Sequence, residues 1–128
     1  MNDSTITATI PAWHDSKLAE LCKSKRHNTR HEPGAVILHR TAVFTIERRE
    51  DAPGFLFITL NTGGWLTRTT CARMQEAFHA IGVLAWVSMA GGELSIGLNN
   101  PNWKHVPDGR TCTLRLDCAT NELVAVDA

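Results

Sequence analysis

Apolar residues recur along this chain with two different periods, and each period predicts its own kind of element. The helical period is clearest over residues 69–81, where four apolar residues stand at i, i+3, i+4 and i+7. Gly82 follows at the position that glycine favours after a helix. We therefore predict a helix over this range. Its buried stripe is Met74, Ala77, Phe78 and Ile81.

A second stripe with helical spacing lies nearer to the N-terminus and predicts a shorter helix. We expect this helix to start at Asp15 or Ser16, because either side chain can accept a hydrogen bond from the first free amide groups of a helix. We expect it to end near residues 26–28, before the Pro-Gly pair at 33–34. The apolar residues of its stripe are Leu18, Leu21 and Cys22.

Apolar and polar residues alternate over residues 35–47, which predicts one long strand with a buried face. Arg40 falls on the apolar face, so it marks a bulge, a strand end or a cation with a partner. A charged turn follows, and residues 55–60 then predict a second strand that pairs with the first as an antiparallel hairpin. The apolar face of the first strand comprises Val36, Leu38, Ala42, Phe44 and Ile46.

Short strands separated by turn residues are predicted after the second helix. The order α-β-β-α-β-β-β-β joins neighbours by short connections, which favours an α+β fold: a mostly antiparallel sheet with two helices packed on it. We expect one domain over residues 1–128, with residues 1–12 as a loose N-terminal arm. The remaining predicted strands are 83–89, 94–98, 103–106 at an edge, 111–117 and 122–126.

Charge and composition narrow the classes of function. Thirteen basic and thirteen acidic residues cancel, and the pI is near 7.0, which argues against a strongly basic nucleic-acid coat and against an acidic mimic of DNA. No apolar run approaches the roughly 20 residues that span a bilayer, and the N-terminus lacks the pattern of a secretory signal. We therefore expect no membrane association and a cytoplasmic location. The sequence contains no cofactor fingerprint, so no cofactor is predicted.

Four cysteines without a C-x-x-C pair are expected to be buried, reduced thiols. Cys71 is the exception that deserves a second interpretation, because a thiol near a helix N-terminus can have a lowered pKa. His27 and His31 have the i, i+4 spacing of a metal pair on a helix. The further ligands of a closed metal site are not evident, so no metal is predicted.

The segment between the second strand and the second helix is the main candidate for binding. Two glycines permit close backbone approach, threonine hydroxyls gather near a helix start, and the free amide groups there attract anions. An arginine in the first turn opposes the helix dipole unless an anion compensates it, so Arg73 indicates a partner. We predict a phosphate-sized anion site with a tryptophan able to stack. The residues assigned to it are Thr62, Gly63, Gly64, Trp65, Thr67, Arg68, Thr69, Thr70 and Arg73.

The same segment also has a purely structural interpretation. In it, one of the threonines caps the helix, the two glycines form a tight turn, and Trp65 packs at the edge of the core.

A second candidate surface is a basic stretch over residues 23–40, which contains five cations and the single anion Glu32. It predicts contact with a polyanion, the alternative being a solvated helix end. Its cations are Lys23, Lys25, Arg26, Arg30 and Arg40.

The segment over residues 61–74 resembles a pattern found in small uncharacterised proteins of phages and other mobile elements, N-T-G-G-W-x-T-x-T-T-x-x-R-M. The resemblance implies a phage or mobile-element setting. It also implies a short, non-enzymatic binder, a class that includes inhibitors of host defence systems. The matching residues are Asn61, Thr62, Gly63, Gly64, Trp65, Thr67, Thr69, Thr70, Arg73 and Met74.

These observations lead to three hypotheses of different classes. The first is a non-enzymatic binding protein that occupies a host protein complex or a nucleotide-like ligand, as an inhibitor of a host defence system would. The second is a small nucleic-acid-binding module that uses the basic stretch and the threonine-rich helix start. The third is an enzyme built around Cys71 or the histidine pair. Homo-oligomerisation is left open.

Overall fold

Two α-helices and nine β-strands form the part of the chain that the structure, a computed structural model, describes: residues 10–64, 66–98, 102–107 and 111–126. The helices are α1 (Ala12–Ser24) and α2 (Arg68–Ala80). The strands before α2 are β1 (Thr29–Glu32), β2 (Ala35–Leu38), β3 (Thr41–Arg48) and β4 (Phe55–Asn61). Those after it are β5 (Trp86–Ala90), β6 (Glu93–Leu98), β7 (Asn102–Pro107), β8 (Thr111–Asp117) and β9 (Glu122–Ala125).

The strands form two sheets in which every neighbouring pair is antiparallel. The larger sheet has six strands in the order β1-β2-β3-β4-β8-β9, and the smaller has three in the order β5-β6-β7. The two helices pack on this arrangement, so the predicted α+β fold with a mostly antiparallel sheet is confirmed. The separate small sheet was not predicted. It is a meander inserted between β4 and β8, which pair with each other across it.

The core lies where α2 packs against the larger sheet. The predicted stripe of α2 is buried, and the ring of Phe78 meets that of Phe44 edge-on, with 5.2 Å between centroids. Edge-to-face pairs of this kind add to the stability from area burial alone. Leu94 and Ile96 of the small sheet belong to the same hydrophobic cluster. A single core therefore connects both sheets.

The prediction of one strand over residues 35–47 is wrong, because the chain reverses at His39 and Arg40. The turn has two residues and pairs Leu38 with Thr41, so these two residues share one face of the sheet. Ala42 therefore lies on the other face, not on the apolar face predicted for it. A bulge with Val43 as the extra residue then restores the expected face for the rest of β3. Arg40 thus marks a strand end, one of the three alternatives for it.

Helix α1 begins and ends earlier than predicted. It starts after Pro11, whose fixed φ of −56° suits a helix start, and it has no side-chain cap. Residues 33–34, expected to end this helix, instead form the turn between β1 and β2. The strand β1 was missed because its sequence, Thr-Arg-His-Glu, carries no apolar alternation.

Asp15, the predicted cap, instead joins α1 to the β1–β2 turn. One carboxylate oxygen, Oδ1, accepts hydrogen bonds from the backbone N–H of Gly34 at 2.9 Å and from Nε2 of His31 at 2.8 Å. Partial burial tends to raise the pKa of Asp15, but the Gly34 amide, the His31 hydrogen bond and the His31 charge together bring that pKa below its usual value. The ionised form therefore stabilises the contact.

Because the pKa of Asp15 is lower in the folded than in the unfolded chain, its contribution to stability is complete above the unfolded pKa of about 3.9 and disappears as the pH falls through the folded value. The variant Asp15→Asn keeps an acceptor oxygen but cannot titrate. We expect it to be less stable than wild type at neutral pH and to lose less stability below pH ~4. Urea unfolding across this range measures both; equal acid slopes in the two proteins would contradict the assignment.

Candidate functional site

A pocket of about 540 Å³ lies between the start of α2 and the β2–β3 turn. Its volume is within the range of about 300 to 1,000 Å³ that is typical of small-molecule sites. Leu38 and Val43 provide buried apolar surface, and every other lining residue is polar or charged. The pocket combines four threonines of the predicted binding segment with Arg40 of the predicted basic stretch.

The loop before α2 is fixed by its own side chains. The backbone N–H of Gly63 donates to Oδ1 of Asn61 at 2.8 Å, and that of Gly64 donates to Oγ1 of Thr62 at 3.2 Å. Both glycines have positive φ, +67° and +79°. A Cβ on Gly63 would lie 2.6 Å from Oγ1 of Thr41, a pocket residue, so only glycine fits there without moving the Thr41 side chain.

The start of α2 forms one wall of the pocket. Thr67 is the N-cap, and its hydroxyl accepts from the Thr70 amide at 3.1 Å, as the capping interpretation predicted. Thr67, Thr69 and Thr70 also line the pocket. The amides of Arg68 and Thr69 occupy the first helical positions, which have no carbonyl acceptor within the helix. Capping and an anion-attracting wall therefore coexist at the same residues.

The β2–β3 turn forms the opposite wall and brings a cation to the pocket. Arg40 is exposed at the tip of this turn and lines the pocket together with His39. His39 has a φ of +56°, an unfavourable value for a residue with a side chain, and its amide donates to the Asn28 carbonyl at 2.9 Å. Sequence reasoning placed Arg40 in a separate patch; only the fold brings it opposite the threonines.

Arg73 is buried and its guanidinium is occupied by groups of the protein. It donates from Nε to Oγ1 of Thr29 at 2.9 Å and from one terminal nitrogen to Oε1 of Glu76 at 3.0 Å. The other terminal nitrogen lies 3.3 Å from Oδ1 of Asn28. The prediction that Arg73 lies in the first turn is wrong, because α2 begins at Arg68 and Arg73 falls in its second turn. Its anionic partner is Glu76 of the same helix, so the guanidinium bonds within the protein behind the pocket wall.

The other predicted binding residues are distributed differently. Arg68 is exposed but lines a separate groove on the far side of α2. Gly63 and Gly64 shape the loop, and Trp65 lies outside the described residues. Of the predicted segment, Thr62, Thr67, Thr69 and Thr70 line the pocket.

The basic stretch does not form one free surface. Lys25 lies 3.9 Å from the carboxylate of Glu76, and Arg30 is paired with Glu32 at 2.7 Å. Lys23 and Arg26 are exposed near the end of α1. Arg40 lies apart in the pocket wall. Two of the five cations, Lys25 and Arg30, therefore already have an anionic partner within the chain. Contact of this stretch with a polyanion stays a prediction.

Three of the four cysteines are buried as expected, whereas Cys118 and the two histidines differ from expectation. Burial raises the pKa of Cys71, the opposite of the activation considered for a thiol near a helix start. Burial likewise raises the pKa of Cys22 to about 11. Cys118, predicted to be buried, is exposed.

His27 and His31 do not share a helix, because α1 ends at Ser24 and His31 lies in β1. Among the described residues, no three metal-ligating side chains cluster.

Comparison with known protein families, with characterised proteins and with solved structures finds no match to this chain. Neither helix in the described part of the chain has the length and apolar character that a membrane span requires.

The two glycines before α2 provide a matched test of the loop. Gly63→Ala places a side chain at positive φ and against Thr41, so we expect a loss of about 2 kcal/mol or more in the free energy of unfolding. Gly64→Ala has the same backbone problem but open space around the new methyl group, so about 1 kcal/mol is expected. Denaturant unfolding of both variants measures the difference. Equal losses would show that the Thr41 contact is unimportant.

Arg73→Ala should destabilise the protein, because it leaves Glu76, Asn28 and Thr29 without their shared donor. We expect a loss of about 2 to 4 kcal/mol in the free energy of unfolding. Arg30→Ala is the matched control, since its exposed pair with Glu32 should contribute less than about 1 kcal/mol. A stable Arg73→Ala protein would mean that its buried hydrogen bonds are not needed to hold α2.

Proposed function

We propose that this protein is a non-enzymatic binding protein whose pocket holds a phosphate-bearing, nucleotide-like ligand. The observation that carries the proposal is the arrangement of Arg40 opposite the threonine-lined start of α2. A guanidinium and a helix N-terminus both attract negative charge, and hydroxyl groups of Thr67 and Thr69 can donate to phosphate oxygens. The chemistry of these two walls is complementary to a single anionic group between them.

The apolar part of the pocket supports a ligand larger than phosphate alone. Leu38 and Val43 are nearly completely buried, yet both border the cavity. Small-molecule sites commonly combine apolar lining with a few polar groups that fix orientation. A nucleotide has this division, since its base buries apolar area and its phosphate carries the charge.

The biological role that we propose rests on the sequence resemblance as well as on the pocket. The segment over residues 61–74 resembles small proteins of phages and other mobile elements, and it forms both the loop and the helix start of the pocket. A phage-encoded protein that captures a nucleotide-like ligand in the cytoplasm of its host would act as an inhibitor of a host defence system. Binding to a host protein complex is the other form of this hypothesis.

The pocket is tested by calorimetry with inorganic phosphate, a nucleoside and the mono-, di- and triphosphates of that nucleoside. We expect the phosphorylated compounds to bind and the bare nucleoside to bind at least tenfold more weakly. Arg40→Ala should weaken binding by about 10- to 100-fold, because it removes a charge-assisted hydrogen bond. Thr69→Val, which removes a hydroxyl with little change of shape, should cost about fivefold.

Arg30→Ala is the control for net charge, because Arg30 is exposed, belongs to the basic stretch and does not line the pocket. Full binding by Arg40→Ala, or an equal loss in Arg30→Ala, would contradict the proposal. A single-stranded oligonucleotide is included as a further probe. Binding that depends on Lys23 and Arg26 but not on Arg40 would favour the nucleic-acid hypothesis instead.

A further inference from the structure

A second cavity lies on the opposite side of α2 from the pocket. It is a groove of about 390 Å³ between the outward side of α2 and β5, an edge strand of the small sheet. Arg68, Ala72 and Gln75 border it from the helix, and Val87, Ser88 and Met89 border it from the strand. The proposed ligand pocket shares none of these residues. The groove is therefore a separate surface.

The backbone edge of β5 faces this groove. The N–H of Val87 donates to Oε1 of Gln75 at 2.9 Å, so a side-chain oxygen stands where the carbonyl of another strand would lie. In an antiparallel pair the backbone groups of alternate residues point to the same side, and β5 pairs with β6 in unbroken register. The N–H and C=O of Met89 consequently point away from β6 and toward the groove.

Arg68 supplies a positive charge at the same place. It is exposed, it stands at the first position of α2, and the first turn of this helix contains no acidic residue. A cation there is mildly unfavourable, because it meets the positive end of the helix dipole. In the described part of the chain Arg68 has no ion-pair partner, in contrast to Arg30, Arg49 and Arg73.

We propose that an extended segment of a partner protein, carrying an acidic side chain, adds to β5 as a further strand in this groove. The carbonyl of Val87 and the N–H and C=O of Met89 form its backbone hydrogen bonds, and Arg68 pairs with its carboxylate. The groove runs along α2 from Gln75, which lies beside Val87, to Arg68. The acidic residue of the bound segment therefore lies at the end that is nearer to Met89 than to Val87. All strand pairs in the described sheets are antiparallel, and the added strand is antiparallel as well.

The probe is a synthetic peptide, acetyl-Glu-Thr-Val-Thr-Val-Thr-amide, titrated to millimolar concentration into the protein and followed by NMR. We expect shifts of the Val87 to Met89 amide signals and slower hydrogen exchange at the Met89 N–H. Replacing the peptide glutamate with lysine should weaken binding about two- to fivefold, and so should Arg68→Ala in the protein. Replacing the first valine of the peptide with proline should abolish binding, because it removes a backbone donor.

Two proline variants separate the backbone contact from the fold. Met89→Pro removes an N–H that faces the groove, so the protein should fold and lose at least tenfold in peptide affinity. Met89→Ala keeps the N–H and should bind within about threefold of wild type. Ser88→Pro removes an N–H that points to β6 and should destabilise the sheet instead.

The absence of any shift at Val87 to Met89 with the wild-type protein would overturn the proposal. Unchanged affinity in Met89→Pro would overturn it too, because strand addition cannot survive loss of that donor. Nucleotide binding in the pocket is measured separately and depends on Arg40, so failure of one proposal leaves the other intact.

Discussion

The hydrogen bonds of the buried Arg73 guanidinium hold the two walls of the pocket in place. Arg73 belongs to α2, yet it reaches Asn28 and Thr29, where the chain leaves α1 and enters β1. Asn28 in turn accepts the amide of His39, which stands in the opposite wall. Asn28 thereby links α2 to the β2–β3 turn, two segments that are far apart in sequence. The buried charge is tolerated because Glu76 compensates it.

Beside this link, His39 holds a conformation that a free chain would avoid, because it has positive φ without being glycine. Such a residue costs free energy of the order of 1 kcal/mol. At Gly63 glycine itself adopts positive φ without strain, and an added Cβ would meet the Thr41 side chain. The packing of α2 on β2 and β3 holds both segments in place, with Phe78 against Phe44 at its centre. The packed core thus stabilises the conformations of the polar residues that line the pocket.

The N-terminal turn of α2 presents different chemistry on its two sides. Thr67, Thr69 and Thr70 face the pocket, whereas Arg68 faces the groove along β5. This division follows from helical geometry, since successive residues are rotated by about 100° around the axis. The contiguous T-R-T-T run is therefore split into a hydroxyl-rich wall and a separate cation. In the proposals made above, a small anionic ligand and a peptide strand would share one helix start without sharing a side chain.

The sequence by itself determined the elements whose signals are local. The period of Met74, Ala77 and Phe78 defined α2, and Gly82 ended it, because a buried stripe and a C-terminal glycine depend only on helix geometry. The pairing of β3 with β4 followed in the same way. The α+β class came from the order of these elements.

Only the tertiary structure decided what depends on contacts between distant segments. The reversal at His39 and Arg40 carries no turn residue, and packing on both sides overrides the local preference there. Arg73 was predicted to contact a ligand but is bonded within the protein, because two of its three partners, Thr29 and Asn28, lie more than 40 residues away in the sequence. Arg40 joined the threonines for the same reason: sequence patterns report spacing along the chain, and a pocket is made by surfaces that the fold brings together.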